Sequence, residues 1–317
     1  GFHRHVNVLV VGGAGFIGSH PTERLLAEGP AVDVVDLLTS GSLSNLADAR
    51  SLGGNLKIHT LDAGADELQA LVAMRSPDVI YHLAVLPPGV PAEHCAGDAM
   101  RSTLAVLEAA RSLGEVKVVV ALSAVTLYGD VPAKDQPVKE SQPWNPVGVH
   151  GVITRALADL LAMYREQHSV EFTALAMANV YGPRQRADAG VVGAFANALQ
   201  EGITPMMHGD GRQTRDFLFI DDAVDALVRG AHKGSGLVVN VGTGVATSIR
   251  DLWALMAGPD GRAPSPSPRR QHDVSRFVLS PTRARIHLAW APWTELTVGQ
   301  RRSATWPATL RRRMPDA

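Results

Sequence analysis

The sequence predicts an α/β chain built on a doubly wound parallel sheet, with a smaller second unit behind it. Three observations carry this. Short apolar runs rich in β-branched residues recur along the first half of the chain, segments of helical periodicity separate them, and each gap is long enough for a crossover helix. The first run, Val6 to Val11, stops at a glycine, as a strand buried on both faces does. Helical spacing follows through Ile17, Leu25 and Leu26. Pro21 and Pro30 are expected to punctuate that helix, Pro21 in its first turn, where its missing N–H does no harm. Val32 to Val35 is the second strand, ending at Asp36, and completes one βαβ unit. Lys57 to Leu61, Val79 to Leu83, Val116 to Leu122 and Phe172 to Met177 repeat the pattern.

Past about residue 180 turn signals crowd together (Gly182-Pro183, Gly202, Pro205, Gly209 to Gly211), and the regularity weakens. The expected division is a larger sheet-based unit over 1–178 plus about 218–248, and a smaller cap from 179–217 and 249–317. Gly258 to Arg270, with Pro264, Pro266 and Pro268 alternating with serines, reads as a surface loop. Arg301, Arg302, Arg311, Arg312 and Arg313 read as a solvated, partly frayed tail.

Composition narrows the function classes. Of 317 residues, 45% are hydrophobic and 19% charged, with no apolar run long enough to span a bilayer, which argues against a disordered or membrane-embedded chain. Thirty Lys and Arg against thirty-one Asp and Glu leave a net charge of −1 and no electrostatic reason to expect a nucleic-acid partner. A single cysteine, Cys95, forbids an internal disulfide and a Cys-rich metal site; no metal is expected. With no signal-like start, the expected location is the cytoplasm.

Between the first strand and first helix lies Gly12-x-x-Gly15-x-x-Gly18, which includes Phe16 and Ile17. Glycines at 12 and 15 let the backbone approach a pyrophosphate, Gly18 permits close helix–strand packing, and the helix N-terminus faces the anion. Asp36, 18 residues past Gly18 at the end of the next strand, is placed to accept both ribose hydroxyls of an adenosine. A carboxylate there repels a 2′-phosphate, so the expected cofactor is NAD rather than NADP.

Further motifs narrow the chemistry. The cradle Gly12 to His20, Asp36 with Thr39 to Leu46, Leu61-Asp62, His82 to Ala84, Tyr128 to Asp130, Asn179 to Arg184, Gly209 to Gly211, Arg215 to Phe217, Asp221-Asp222, Asn240 to Gly242 and Leu288 to Pro292 together resemble the extended short-chain dehydrogenase/reductase family. The branch is that of NAD-dependent, UDP-glucose 4-epimerase-like epimerases and dehydratases, with a Rossmann-type sheet. The resemblance spans nearly the whole chain. It implies that Ser40, Gly41, Asp62, Ala63, Leu83 and Ala84 join the cofactor site. It also implies that Asn179, Arg215, Arg270 and Asp273 bind a nucleotide-diphosphate sugar, a UDP-sugar foremost, and that the protein is a homodimer.

The catalytic pattern breaks. The family uses a Tyr-x-x-x-Lys pair, the lysine lowering the tyrosine from about 10 toward neutrality, and a Ser or Thr four residues before the Tyr-Gly motif. Here Val147 stands for the tyrosine, Gly151 for the lysine and Ala124 for the hydroxyl residue, and no Tyr-x-x-x-Lys occurs elsewhere. The dehydratase Asp-Glu pair is replaced by Val125-Thr126, which disfavours a 4,6-dehydratase. His150, expected three residues after Val147 on one helix, is the best substitute base, with Thr126 and Tyr128 as possible holders of a sugar hydroxyl. Tyr164 reads as helix packing and His82 as a core histidine. Two readings stay open: a C4 epimerase or oxidoreductase working through a displaced base, and a catalytically degenerate relative that binds NAD and a nucleotide sugar as a sensor or oligomer partner.

Overall fold

The computed structural model describes residues 6–86 and 89–306. Arg311, Arg312 and Arg313 lie outside the described residues. The first half runs β1 (Asn7–Val11), α1 (Phe16–Glu28), β2 (Ala31–Asp36), α2 (Ala47–Ser51), β3 (Leu56–Thr60), α3 (Asp66–Arg75), β4 (Val79–His82), α4 (Ala92–Leu113), β5 (Lys117–Ser123), α5 (Ala124–Tyr128), α6 (Gly148–His168) and β6 (Glu171–Met177). The second half runs β7 (Asn179–Tyr181), α7 (Val191–Glu201), β8 (Met206–His208), β9 (Thr214–Arg215), β10 (Phe217–Phe219), α8 (Ile220–Gly230), β11 (Leu237–Val241), β12 (Thr247–Ser248), α9 (Ile249–Ala257), β13 (Ser265–Ser267), α10 (Thr282–Leu288) and α11 (Leu296–Thr305).

Seven parallel strands form the main sheet in the order β11-β6-β5-β4-β1-β2-β3. The order reverses between β1 and β4, and such a switch point leaves a crevice at the strands' carboxyl ends. One face packs on α1, α8 and α10 through residues such as Leu25, Leu227 and Leu288. The other packs on α3, α4 and α6 through Leu68, Leu107 and Leu161. Burial on both faces is why β1 and β4 read as unbroken apolar runs. A third core, with Tyr181, Phe195, Phe217, Leu252 and Trp253, joins α7 and α9 to the small β7–β10 pair. No helix among the described residues is long and apolar enough to cross a membrane.

Three local expectations are corrected. Pro21 is the sixth residue of α1, not part of its first turn, so the Ile17 carbonyl lacks its usual i+4 donor. The serine-proline stretch is not wholly loop: Ser265–Ser267 pairs in parallel with Met206–His208, an edge position that a proline tolerates. Arg301 and Arg302 sit in α11 rather than in a frayed tail, and Arg302 bonds Asp221 at 2.6 Å and lies 4.9 Å over the Phe219 ring.

Candidate active site

A cavity of about 460 Å³ opens at the switch point. Its floor is the glycine turn. Gly12 has φ +84°, and a Cβ there would fall 2.7 Å from the Ala84 nitrogen, while one on Gly18 would fall 2.1 Å from the Gly12 carbonyl. No side chain fits at either point: Gly12 packs directly against Ala84 and Gly18 against the turn itself, which keeps the backbone tight at the α1 N-terminus. Gly15, Phe16, Ile17, Asp36, Ser40, Asp62, Ala63, Leu83 and Ala84 line the cavity. Gly41 does not: it packs behind the turn, where a Cβ would meet the Ala14 carbonyl carbon at 2.8 Å. Asp36 accepts from the Ala14 N–H (3.0 Å) and the Leu38 N–H (2.7 Å), and burial pushes its carboxyl up. Asp62 is held by Arg101 at 2.7 Å, whose hydrogen bond lowers its pKa. Arg101 also lines the cavity and went unnoticed in the sequence, because its partner lies 39 residues away and no local pattern marks the pair.

The far end of the cavity lies where β5 meets α5. Ser123 lines it, one position before the fully buried Ala124. Val147 does not share a helix with His150: it has extended geometry (φ −113°, ψ 132°), caps α6, and donates its N–H to the Thr126 carbonyl at 3.0 Å. A Cβ on Gly151 would lie 2.3 Å from that same carbonyl, so α6 rests on α5 at a distance only glycine allows. His150 does line the cavity. Its Nδ1 is 3.0 Å from Thr126 Oγ1 and 3.5 Å from Thr154 Oγ1, and burial lowers its pKa. Thr126 touches His150 without lining the cavity. Tyr128 is a correction: its ring is buried and its hydroxyl donates to Asn240 Oδ1 at 2.8 Å, so it braces the core beneath α5 and cannot hold a substrate hydroxyl there. Tyr164 bonds Glu108 across the α4–α6 contact. His82 is fully buried, with Nε2 2.9 Å from Thr103 Oγ1.

Residues 8–242 match the NAD dependent epimerase/dehydratase family. The chain belongs to that family. Within it, the chain is 40% identical over 308 residues to the UDP-glucose 4-epimerase of Mycolicibacterium smegmatis, covering 93% of this chain and 96% of that one. It superimposes on a UDP-glucose 4-epimerase from Thermotoga maritima, solved with UDP-glucose, with TM-score 0.88 and 29% identity over 95% of this chain and 98% of that one. It also superimposes on the Thermus thermophilus UDP-glucose 4-epimerase solved with NAD, at TM-score 0.84 and 29% identity, over 94% and 98% of the two chains. NAD is accordingly the cofactor of this extended short-chain dehydrogenase/reductase. The glycine turn that no Cβ could share, the Asp36 carboxylate and the Asp62–Arg101 pair suit an adenine dinucleotide.

On the sugar side of this epimerase/dehydratase, only one of four expected residues faces the cavity. Asn179 lines it, and its Oδ1 is buried with no hydrogen-bond partner among the described residues. Arg215 and Asp273 are brought together, but as each other's partners at 2.6 Å. Arg215 also donates to the Val274 carbonyl at 2.6 Å, and neither side chain lines the cavity. Nor does Arg215 pair with the adjacent Asp216, which is fully buried and accepts from Thr243, Gly244 and Leu279. Arg270 sits outside the cavity with Nη2 3.1 Å from His208 Nε2. The segment that follows the strand at Ser265–Ser267 runs against β9, where the Thr214 N–H donates to the Ser275 carbonyl at 3.0 Å and Asp273 lies on Arg215. The cavity wall is made instead by Arg184, Gln185 and Arg186. Arg184 is itself tied down, to Glu23 at 2.5 Å and Asp48 at 3.1 Å.

Proposed function

We propose that this protein is an NAD-dependent nucleotide-sugar 4-epimerase that takes a UDP-sugar and uses His150 as the base. When bound, NAD supplies an acceptor for the C4 hydride and the means to return it. The chain's own part is to take the proton from the sugar hydroxyl, hold the keto sugar, and give the proton back. The observation that carries the reading is His150 itself: a cavity-lining imidazole that burial keeps neutral near pH 7, where a bare ring nitrogen can accept a proton. Ser123 is available to hold the reacting hydroxyl and Asn179, with its unpaired Oδ1, to receive a donor from the sugar nucleotide. Residues 179–217 and 249–317 act as the substrate cap. The protein works in the cytoplasm as a homodimer, for which the exposed Leu104, Val149 and Val152 on α4 and α6 offer an apolar face.

The second reading, an NAD and nucleotide-sugar binder without turnover, has its own observation. The Gly151 contact with the Thr126 carbonyl leaves no room for the family's lysine. Purified protein given NAD with UDP-glucose or UDP-galactose decides between them. The first reading expects interconversion, reduced about a hundredfold to ten-thousandfold by His150→Ala. Unchanged sugars together with an NAD-dependent rise in Tm establish the second.

A further inference from the structure

We infer that the hydroxyls of Thr126 and Thr154 hold His150 in the tautomer protonated on Nδ1, which leaves Nε2 as the ring nitrogen with a free lone pair. This rests on the reading of His150 as the base, and it names the positioning residues that make the ring competent. Thr154, one turn along α6, donates to the backbone carbonyl of His150 at 2.7 Å, so its single proton is committed. Thr126 Oγ1 lies 3.4 Å from the Ser123 carbonyl, an acceptor that can only receive. With both hydroxyl protons directed at carbonyls, what faces Nδ1 at 3.0 and 3.5 Å is oxygen lone pairs, and the ring must bring the proton.

The bond count agrees. A proton on Nδ1 allows three contacts: ring N–H to Thr126, the longer ring N–H to Thr154, and Thr126 O–H to Ser123. The opposite tautomer allows one, from the Thr126 hydroxyl to a bare Nδ1, and leaves the Thr154 lone pairs with nothing to accept from the ring. Nε2 has no hydrogen-bond partner among the described residues, so nothing competes for it. A carboxylate against Nδ1 would fix the same tautomer but would also favour a charged ring. Neutral hydroxyls fix the tautomer and leave the ring uncharged, as a base waiting for a proton requires.

The test is ¹⁵N NMR of the histidine rings in the NAD-loaded protein at neutral pH, with His150 assigned by its loss in His150→Gln. A protonated Nδ1 and bare Nε2 are expected, retained in Thr126→Ser and shifted toward the Nε2-protonated form in the Thr126→Val/Thr154→Val double variant. Far-UV circular dichroism and the Tm gain on adding NAD verify that each variant folds. In turnover, Thr126→Val is expected to lower kcat by about a hundredfold with little change in KM, and Thr126→Ser to restore it. A ring protonated on Nε2 in the wild type, or a double variant with an unchanged tautomer, overturns the inference. Full turnover by His150→Gln overturns the base assignment instead and leaves the tautomer result standing.

Discussion

At the scale of single residues, the cofactor half of the site depends on atoms that are missing. Gly18 sits one turn into the cradle, and an added methyl would lie 2.1 Å from the Gly12 carbonyl, closer than any real contact. That neighbour is backbone and cannot swing aside. Gly18→Ala must therefore push the turn away from the α1 N-terminus, and we expect it to abolish the rise in Tm produced by NAD while the chain still folds; differential scanning calorimetry with and without NAD reads this directly. An undiminished shift in the alanine variant would mean that the dinucleotide does not use this turn. These positions were legible in the sequence because backbone geometry is a local property of a short glycine pattern. The opposite end was legible only in part. The blank at Ala124, Val147 and Gly151 could be read against the pattern of the family the chain resembles, but the identity of His150's partners could not. Thr126 is 24 residues away and meets the ring only because α6 rests on the Thr126 carbonyl.

At the scale of elements, strands buried on both faces announced themselves, whereas the elements that close over the site depend on contacts distant in sequence. Arg215 and Asp273 are 58 residues apart and meet where the segment after β13 runs against β9, a contact that their separate motifs do not encode. The start of α8 is a second such case. Asp222 is fully buried there and accepts from the Trp293 N–H (2.9 Å), the Thr294 N–H (2.9 Å) and the Thr294 hydroxyl (2.6 Å). One carboxylate thus ties the segment leading into α11 to the start of α8. Replacing it by alanine strands three donors, each costing on the order of 1–3 kcal/mol when buried, with relaxation and water recovering part. Asp222→Ala should lower the unfolding free energy by about 3 kcal/mol in urea titration, and Asp222→Asn by less, since one acceptor oxygen survives. A loss within about 0.5 kcal/mol of zero, the range of ordinary surface changes, would show the segment to be held by other contacts.

At the scale of the whole molecule, two histidines couple stability to pH with a sign that follows from where they lie. His82 is enclosed at the end of β4, and burial lowers it to about 4; His20 bridges α1 to the Pro183 carbonyl at 2.8 Å and is lowered to about 4 by burial and then by Arg184. The unfolded chain holds both near 6.5, so as pH falls below that value the unfolded state takes up protons that the folded state refuses. Both groups therefore withdraw stability as pH drops from about 6.5 toward 4, each at a slope of at most about 1.4 kcal/mol per pH unit, and neither contributes above neutrality. In His82→Gln, whose amide can still reach Thr103, the unfolding free energy should fall less steeply over that window than in the wild type, while the two proteins keep a constant difference above pH 7. Urea titrations at pH 7.5, 6.5, 5.5 and 4.5, spanning the ordinary imidazole value of about 6.5, measure both slopes. Parallel curves across the whole range would mean that His82 keeps its ordinary affinity for a proton inside the fold, and would return the acid sensitivity of the molecule to its carboxylates.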